Sequence, residues 1–230
     1  MSDRIASRAK AVIWDMDGVL IDSGPFHFQA WREIFARERG IEFTCEVFQR
    51  TFGWRNPEML RDALGPDTSQ AEIDFLAGVK EARYRDLVRA NSARLLLPGV
   101  IECLARLRQD GWRQAVASSA PAENVAVILE TLPLRDYFGA VVTAEDVARG
   151  KPDPAPFLTA AQRLGVAPNR CVVVEDAPAG IEAARRAGMA CIGLLTTHAR
   201  LENCPAFRAL TDVPLALFNE CLAGGVADTP

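Results

Sequence analysis

Residues 11–20 read AVIWDMDGVL, an apolar run that becomes acidic at Asp15 and Asp17. The apolar residues Ala11–Trp14 predict a buried strand. Asp15 and Asp17 follow directly, and residues two apart at a strand end point to the same side. Gly18 permits a sharp turn after them. The two carboxylates can therefore address a common site, where their repulsion calls for a shared cation. Acidic turns after strands are also common, so this motif alone leaves a structural role open.

The stretch from Pro25 to Asn91 is charge-rich and helical in period. Phe28, Trp31 and Phe35 recur at the spacing of one helix face. Further helices are predicted at Thr44–Phe52, Pro57–Leu64 and Gln70–Ala90, with a break at Gly65-Pro66. No convincing strand pattern occurs here, so the stretch is predicted to be an all-helical insertion.

After Pro98-Gly99 the pattern alternates between helix and strand. The predicted strands are Gln114–Ala117, Ala140–Thr143, Cys171–Val174 and Ala190–Leu194. The predicted helices are Val100–Asp110, Ala122–Thr131, Ala155–Leu164, Pro178–Ala187 and Val213–Cys221. This alternation predicts an α/β fold with a doubly wound parallel sheet. We expect a Rossmann-like core made of residues 1–23 and 93–230, with residues 24–92 as an inserted helical domain.

Polar side chains stand at further strand ends, where ligands bind in such sheets. Ser118 and Ser119 follow the second strand, and their hydroxyls could bind a phosphate oxygen or cap a helix. Lys151 lies in a proline-flanked loop. It could provide a fixed charge for a phosphoryl group, or it could be a solvated lysine in a turn. Glu175 and Asp176 offer hard oxygen ligands for Mg²⁺, or they complement the dipole of the next helix.

Taken together, these strand-end residues resemble the haloacid dehalogenase-like hydrolase superfamily. The residues that carry the resemblance are Asp15, Asp17, Gly18, Ser118, Lys151, Glu175 and Asp176. The stretches KPDPAPF at 151–157 and VVVEDAPAGIEAA at 172–184 are similar to its β-phosphoglucomutase-like branch, which includes sugar phosphatases. The resemblance covers about residues 10 to 195.

The resemblance implies a role for each acid. Asp15 would attack phosphorus and form an aspartyl-phosphate. Asp17 would protonate the leaving oxygen and then activate the attacking group. Mg²⁺ would be held by Asp15, the backbone carbonyl of Asp17 and Asp176, with Glu175 as a further ligand or as the partner of one.

The resemblance also implies substrate contacts. Ser118 and Lys151 would bind the transferring phosphoryl group. The helical insertion corresponds to the family's cap domain, where His27 matches a position that contacts the catalytic acid and the substrate. Arg55 and Lys80 are the cap cations best placed to read an anionic substrate. A packed core histidine and two solvated helix cations are the alternative interpretations.

Two departures separate this chain from the mutases of that branch. Ala120-Pro121-Ala122 stands where the mutases have a basic residue and an asparagine that help to hold a second phosphate. In the cap, Asn56 replaces the arginine expected three residues after Gly53, and Arg55 lies one place earlier. Both departures favour a phosphatase, which returns the phosphoryl group to water.

Three other functions stay open. A phosphomutase would return the phosphoryl group to another hydroxyl of the substrate. A dehalogenase would use Asp15 on carbon, but it has no need of Asp17 or of the acidic pair. A non-enzymatic binding module would not need polar residues at all four strand ends.

The overall charge and composition of the chain restrict its possible partners and its cellular compartment. The formal net charge is −4 and the pI is near 5.4, so the overall charge gives no indication of nucleic-acid binding. The residues Met1–Lys10 carry no secretory signal, and no apolar stretch is long enough to span a bilayer. Six cysteines form no C-x-x-C pair, and two histidines do not support a zinc site. We expect a cytoplasmic, soluble monomer that acts on a small phosphorylated substrate with Mg²⁺.

Overall fold

The computed structural model describes residues 9–51 and 54–224. The chain divides into two compact units. One unit consists of Met1–Asp22 together with Leu95–Pro230, and the other of Ser23–Arg94. The first is called the sheet unit and the second the helical unit.

The sheet unit is built on a parallel sheet with the order β3-β2-β1-β4-β5-β6. Its strands are β1 (Ala11–Trp14), β2 (Arg113–Ala117), β3 (Ala140–Val142), β4 (Cys171–Glu175), β5 (Ala190–Leu194) and β6 (Ala206–Phe207). β1 and β4 are buried along their whole length. Continuous apolar runs produce such strands because helices cover both faces of a parallel sheet. β1 lies between β2 and β4, so its end is at the centre of the carboxyl edge.

Helices pack on both faces of this sheet. They are α5 (Val100–Gln109), α6 (Ala122–Thr131), α7 (Ala155–Leu164), α8 (Pro178–Arg186) and α9 (Leu215–Ala223). Ile13 of β1 belongs to the core cluster that contains Phe157 of α7. Trp14, the next residue, contacts Phe218 of α9, at 6.3 Å between ring centroids. Because successive strand residues face opposite sides, α7 and α9 cover opposite faces. Short 3-10 helices lie at Arg135–Tyr137, Ala144–Asp146, Pro168–Arg170 and Leu210–Asp212.

The helical unit has its own apolar core. Its helices are α1 (Gly24–Arg39), α2 (Cys45–Thr51), α3 (Asn56–Leu64) and α4 (Gln70–Ala90), followed by a 3-10 helix at Ser92–Arg94. Trp31 and Phe35 of α1 pack with Phe43, Leu60 of α3 and Ile73 of α4. These residues recur at the helical spacing, so each helix turns one apolar face to the others.

The predicted fold class, a doubly wound parallel sheet with an inserted helical domain, is confirmed. Most elements end within two residues of their predicted bounds, and Phe52, at the predicted end of α2, lies outside the described residues. β6 was not predicted, since its two residues, at the edge of the sheet, are too few to show a period. The domain boundaries stated above stay a prediction. Among the described residues, no helix is both long and apolar enough to cross a membrane.

Candidate active site

The carboxylate of Asp15 lies at the end of β1, at the centre of the sheet edge. The backbone N–H of Asp15 still donates to the carbonyl of Val174, at 3.0 Å, so the strand ladder fixes its position. The residue is only 7% exposed, and its Oδ1 accepts a hydrogen bond from the Nζ of Lys151. The ladder with β4 therefore delivers this carboxylate to a buried ammonium group.

Lys151 joins two strand ends. Its Nζ donates to Asp15 and also to Oε1 of Glu175, at 2.7 Å, and it stands 5.0 Å from the ring centre of Phe157. The side chain comes from the loop before α7, where the Lys151–Pro152 peptide bond is cis. Lys151 is therefore a buried, paired cation and not the solvated turn lysine that the sequence left open.

Both carboxylate oxygens of Glu175 are engaged. Oε1 accepts from Lys151, while Oε2 accepts from the backbone N–H groups of Asp176 and Ala177, each at 2.7 Å. The side chain is 1% exposed. Glu175 thus orients Lys151 and braces the start of the loop that carries Asp176. Three of the roughly four acceptor sites of this carboxylate are used by these bonds, which leaves one on Oε1.

Gly180 of α8 makes room for that carboxylate. A Cβ atom built on Gly180 would stand 1.8 Å from Oε1 of Glu175, a distance that no packing allows. Gly78 of α4 has nothing within 4 Å of such an atom. The two helical glycines therefore form a matched pair, one at the site and one on a free helix surface.

We expect Gly180→Ala to lower catalytic activity by on the order of 10²-fold, because the new methyl group displaces Glu175 from Lys151. Overpacking should also cost about 1–3 kcal/mol in the free energy of unfolding. Gly78→Ala is the control, and it should gain up to about 1 kcal/mol with activity unchanged. Turnover assays and urea unfolding of both variants check this. Full activity in Gly180→Ala would show that the contact between Glu175 and Lys151 is dispensable.

The loop after Asp15 folds back on itself. The N–H of Gly18 donates to the carbonyl of Ile21, at 2.7 Å, and the backbones of Asp17 and Ile21 form an isolated parallel β-bridge. Gly18 has a φ of 80°, in the left-handed region. A Cβ atom there would stand 2.0 Å from Oδ2 of Asp176. Only glycine lets the loop that carries Asp17 come so close to Asp176.

Asp176 is held by side chains that sequence analysis did not single out. Its Oδ2 accepts a hydrogen bond from the hydroxyl of Thr197, at 2.5 Å. The neighbouring Thr196 donates to the carbonyl of Gly18, at 2.6 Å. The signal for both residues was present, because Thr196-Thr197 follows β5 at the same carboxyl edge that drew attention to the other strand ends.

Ser118 and Ser119 differ in environment. Ser118 is buried, its N–H donates to the carbonyl of Val142 at 3.0 Å, and its Oγ accepts from the N–H of Ala120 at 3.0 Å. A hydroxyl that accepts in this way still has its own proton to donate to a phosphoryl oxygen. Ser119 is exposed. The geometry therefore supports Ser118 more than Ser119 as a phosphate ligand.

The acids outweigh the cation at this edge. Burial raises the pKa of Asp15 well above its usual value, Lys151 opposes the rise, and Glu175, Asp176 and Asp17 add to it by repulsion. Burial and Glu175 raise the pKa of Asp176 to about 7, against the hydrogen bond from Thr197. Burial would lower the pKa of Lys151, but Asp15 and Glu175 raise it above its usual value.

A hard divalent cation fits this set of donors. Oxygen ligands of carboxylates are the ones Mg²⁺ prefers, and its charge would relieve the repulsion that raises these pKa values. Within residues 9–51 and 54–224, no three acidic, histidine or cysteine side chains are already gathered into a finished metal site. The fit therefore rests on donor chemistry and charge.

The remaining predicted site residues lie in the helical unit. Lys80 is 2% exposed, and its Nζ lies 2.8 Å from Nδ1 of His27 and 2.8 Å from Oε1 of Glu81. The His27 ring stacks on Tyr84, with 3.9 Å between centroids. The solvated-surface interpretation of Lys80 is therefore wrong. Arg55 is exposed at the N-terminus of α3, and Gly53 lies outside the described residues.

The neighbouring Glu81 reduces the ability of Lys80 to bind an anion. Burial would raise the pKa of Glu81, but Lys80, His27 and a hydrogen bond from Asn56 lower it to about 2. Glu81 is therefore ionised at neutral pH and offsets the charge of Lys80. Sequence analysis missed Glu81, since adjacent helix residues such as Lys80 and Glu81 do not normally face each other. It noted Asn56 only as the replacement of an arginine and not as a hydrogen-bond donor to Glu81.

Comparison with known proteins identifies the family of this chain. A family model of haloacid dehalogenase-like hydrolases matches residues 9–188. β-Phosphoglucomutase from Bacillus subtilis (strain 168) is 37% identical over 216 residues, which cover 92% of this chain and 94% of that protein. Validoxylamine A 7′-phosphate phosphatase from Streptomyces hygroscopicus subsp. limoneus is 35% identical over 82% of this chain and 87% of that protein.

A solved structure shares the fold. The crystal structure of a HAD hydrolase, family IA, variant 3, from Entamoeba histolytica HM-1:IMSS aligns with a TM-score of 0.85 and 25% identity, covering 93% of this chain and 99% of that one. The chain belongs to the haloacid dehalogenase-like hydrolases. It is an enzyme of this family, and its relatives include both phosphatases and a phosphomutase of sugar phosphates.

Proposed function

We propose that the enzyme is a Mg²⁺-dependent phosphatase that hydrolyses a small sugar phosphate through an aspartyl-phosphate on Asp15. The observation that carries this proposal is the buried ammonium of Lys151, which bonds Asp15 and Glu175 at the carboxyl edge of the sheet. A phosphoryl group brings negative charge to a buried nucleophile, and Lys151 offsets that charge as it moves in the transition state.

In the first half-reaction, an oxygen of Asp15 attacks phosphorus and the bond to the sugar oxygen breaks. Asp17 delivers a proton to the departing oxygen, so a neutral alcohol leaves. Lys151 and Ser118 bind the oxygens of the phosphoryl group while it moves. The product is an acyl phosphate on Asp15.

In the second half-reaction, water attacks the phosphorus of the acyl phosphate. Asp17, now ionised, takes a proton from that water. The bond between phosphorus and the Asp15 oxygen breaks, which releases inorganic phosphate and restores the carboxylate. The protons balance over the cycle, because Asp17 gives one and regains one.

Asp15, Asp17 and Asp176 would hold the magnesium ion, with Glu175 next to them as the anchor of Lys151. When bound, Mg²⁺ supplies positive charge to the phosphoryl oxygens and to the attacking carboxylate. The raised pKa values of Asp15 and Asp176 are consistent with this assignment. Burial is the main cause of both rises, and repulsion from the neighbouring acids, which a cation would relieve, adds to them.

Residues at the start of α6 favour hydrolysis of the aspartyl-phosphate over transfer of its phosphoryl group back to a sugar hydroxyl. The N–H of Ala122 donates to Oε2 of Glu145, at 3.0 Å, so a carboxylate stands beside the residues that replace the basic residue and the asparagine expected in the mutases. Pro121 and Ala120 bring no cation to it. An acid there would repel the second phosphate of a bisphosphate intermediate.

A β-phosphoglucomutase-type phosphomutase is the second candidate. The observation that favours it is the 37% identity with the Bacillus subtilis β-phosphoglucomutase over nearly the whole chain. The two functions share the first half-reaction and differ in what accepts the phosphoryl group.

A panel of sugar monophosphates, with free phosphate and sugar phosphate isomers both measured, tests the proposal. We expect steady phosphate release with Mg²⁺, none after exhaustive chelation, and no need for a bisphosphate primer. If β-glucose 1-phosphate were converted to glucose 6-phosphate much faster than phosphate was released, the enzyme would be a phosphomutase and not a phosphatase. Undiminished turnover without metal would refute the role of Mg²⁺. Substrate binding by His27, Arg55 and Lys80, and a monomeric state, stay predictions.

The gain in melting temperature on adding Mg²⁺ should increase with pH. Burial raises the pKa of Asp176 from 3.8 in the unfolded chain to about 7 in the fold, so the metal-free fold loses stability as the pH rises between these values. The ion needs the ionised carboxylate and competes with the proton. We expect a small Mg²⁺-induced gain near about pH 5 and a large one near about pH 8.

Asp176→Asn is the control for this experiment, because its side chain stays neutral at every pH and should lose most of the gain. Thermal unfolding with excess MgCl₂ or with chelator measures the effect. Equal gains at both pH values in the wild-type protein would show that ion binding does not depend on ionisation at this edge.

A further inference from the structure

The segment Thr196-Thr197-His198 follows β5 after one intervening residue, Leu195. Its residues are exposed, yet its polar atoms face two acidic loops. One loop follows β1 and carries Asp17, and the other follows β4 and carries Asp176. All three segments belong to the sheet unit. Their meeting point is at the same carboxyl edge as Asp15.

Thr197 bonds the carboxylate of Asp176. Its Oγ1 lies 2.5 Å from Oδ2 and 3.1 Å from the backbone carbonyl oxygen of Asp176. A hydroxyl has one proton, and a carboxylate is the stronger acceptor, so the proton goes to Oδ2. Nδ1 of His198 stands 3.1 Å from the same carbonyl oxygen and can donate to it.

Thr196 bonds the other loop. Its Oγ1 donates to the carbonyl of Gly18, at 2.6 Å, and lies 3.5 Å from Oδ2 of Asp176. A Cβ atom on Gly18 would stand 3.1 Å from Cγ2 of Thr197. The two threonines therefore contact both loops, and the absence of a side chain at Gly18 leaves the space in which they meet.

We propose that Thr197, supported by Thr196, is a positioning residue that fixes the carboxylate of Asp176 for cation binding. The hydrogen bond to Oδ2 sets the rotation of the carboxylate and with it the direction of Oδ1. Groups that orient a metal ligand in this way contribute to affinity without touching the ion. The nature of the ion rests on the proposed function, whereas the contacts do not.

The two hydroxyls have separate tasks. Thr197 acts on the ligand itself, and Thr196 fixes the loop of Asp17 relative to it through the carbonyl of Gly18. Because a carboxylate that loses its donor can rotate, loss of the Thr197 hydroxyl should weaken ion binding more than it weakens the fold. A residue with a purely structural role would change stability and leave ion affinity as it was.

Two substitutions at one position separate the hydroxyl from the methyl group. Thr197→Val keeps the shape and removes the hydroxyl, and Thr197→Ser keeps the hydroxyl. Thr68→Val is the matched control, since its hydroxyl donates to the carbonyl of Gly65, at 2.7 Å, in the helical unit. The readouts are the Kd of MgCl₂ for the substrate-free protein, by calorimetry, and the Mg²⁺ concentration that gives half-maximal phosphate release.

We expect Thr197→Val to raise the Mg²⁺ Kd by about 10–100-fold. Thr197→Ser should stay within about threefold of the wild-type Kd, and Thr68→Val should match the wild type. A wild-type Kd in Thr197→Val overturns the proposal, as does an equal loss in Thr197→Ser and Thr197→Val. If the wild-type protein itself releases phosphate but binds no Mg²⁺, the metal in the proposed function fails, and the positioning role fails with it.

Discussion

Asp15→Asn is expected to lower phosphate release by on the order of 10⁴-fold or more, because an amide oxygen cannot form the acyl phosphate. The fold should remain, since Lys151 keeps its hydrogen bond to Glu175. Initial rates of phosphate release, together with the melting temperature, measure both parts of this expectation.

Asp146→Asn is the matched control for Asp15→Asn. The Asp146 carboxylate pairs with Arg163 and accepts hydrogen bonds from Thr143, and these partners lower its pKa to about 2. The same change there should cost stability and leave turnover nearly unaltered. Substantial activity in Asp15→Asn, with Asp146→Asn also active, would mean that another group attacks phosphorus.

Lys151→Met is expected to be the second large loss. Removal of one partner from a buried ion pair costs about 3–5 kcal/mol, and here it leaves Asp15 and Glu175 facing each other without the ammonium. Activity should fall by on the order of 10³-fold, because the phosphoryl group also loses its fixed cation. Urea unfolding and turnover assays of the variant measure these two losses.

A double-mutant cycle tests the cause of the stability loss in Lys151→Met. In the Asp15→Asn background one of the two carboxylates is already neutral, so Lys151→Met should cost less than it does in the wild-type protein. Equal costs in the two backgrounds would show that Asp15 and Lys151 do not interact, contrary to the geometry.

Much of the sheet and the identity of the strand-end residues could be predicted from the sequence. Apolar runs such as Cys171–Val174 leave little choice but a buried strand, and the first polar residues after each run then lie at the carboxyl edge. Asp15, Ser118 and Asp176 were found in this way. The edge strand β6 was not, because two residues carry no periodic signal.

The contacts within the site were harder to predict. Nothing in the spacing of Lys151 and Glu175 shows that the ammonium lies between two acids, since the pairing depends on the β1–β4 register and on the space at Gly180. Thr197 carries the ordinary signal of a loop threonine, and its partner Asp176 is 21 residues away. Burial of Lys80 against His27 likewise needs the packed helices.

The covalent intermediate can be trapped in Asp17→Asn with nitrophenyl phosphate. Its leaving group needs no proton, so the first half-reaction should proceed, whereas the second lacks its base. We predict a burst of nitrophenolate equal to the number of active sites, followed by slow turnover, and borohydride reduction should then mark Asp15 alone. Steady nitrophenolate release without a burst, and with Asp15 unmodified, would contradict the covalent mechanism.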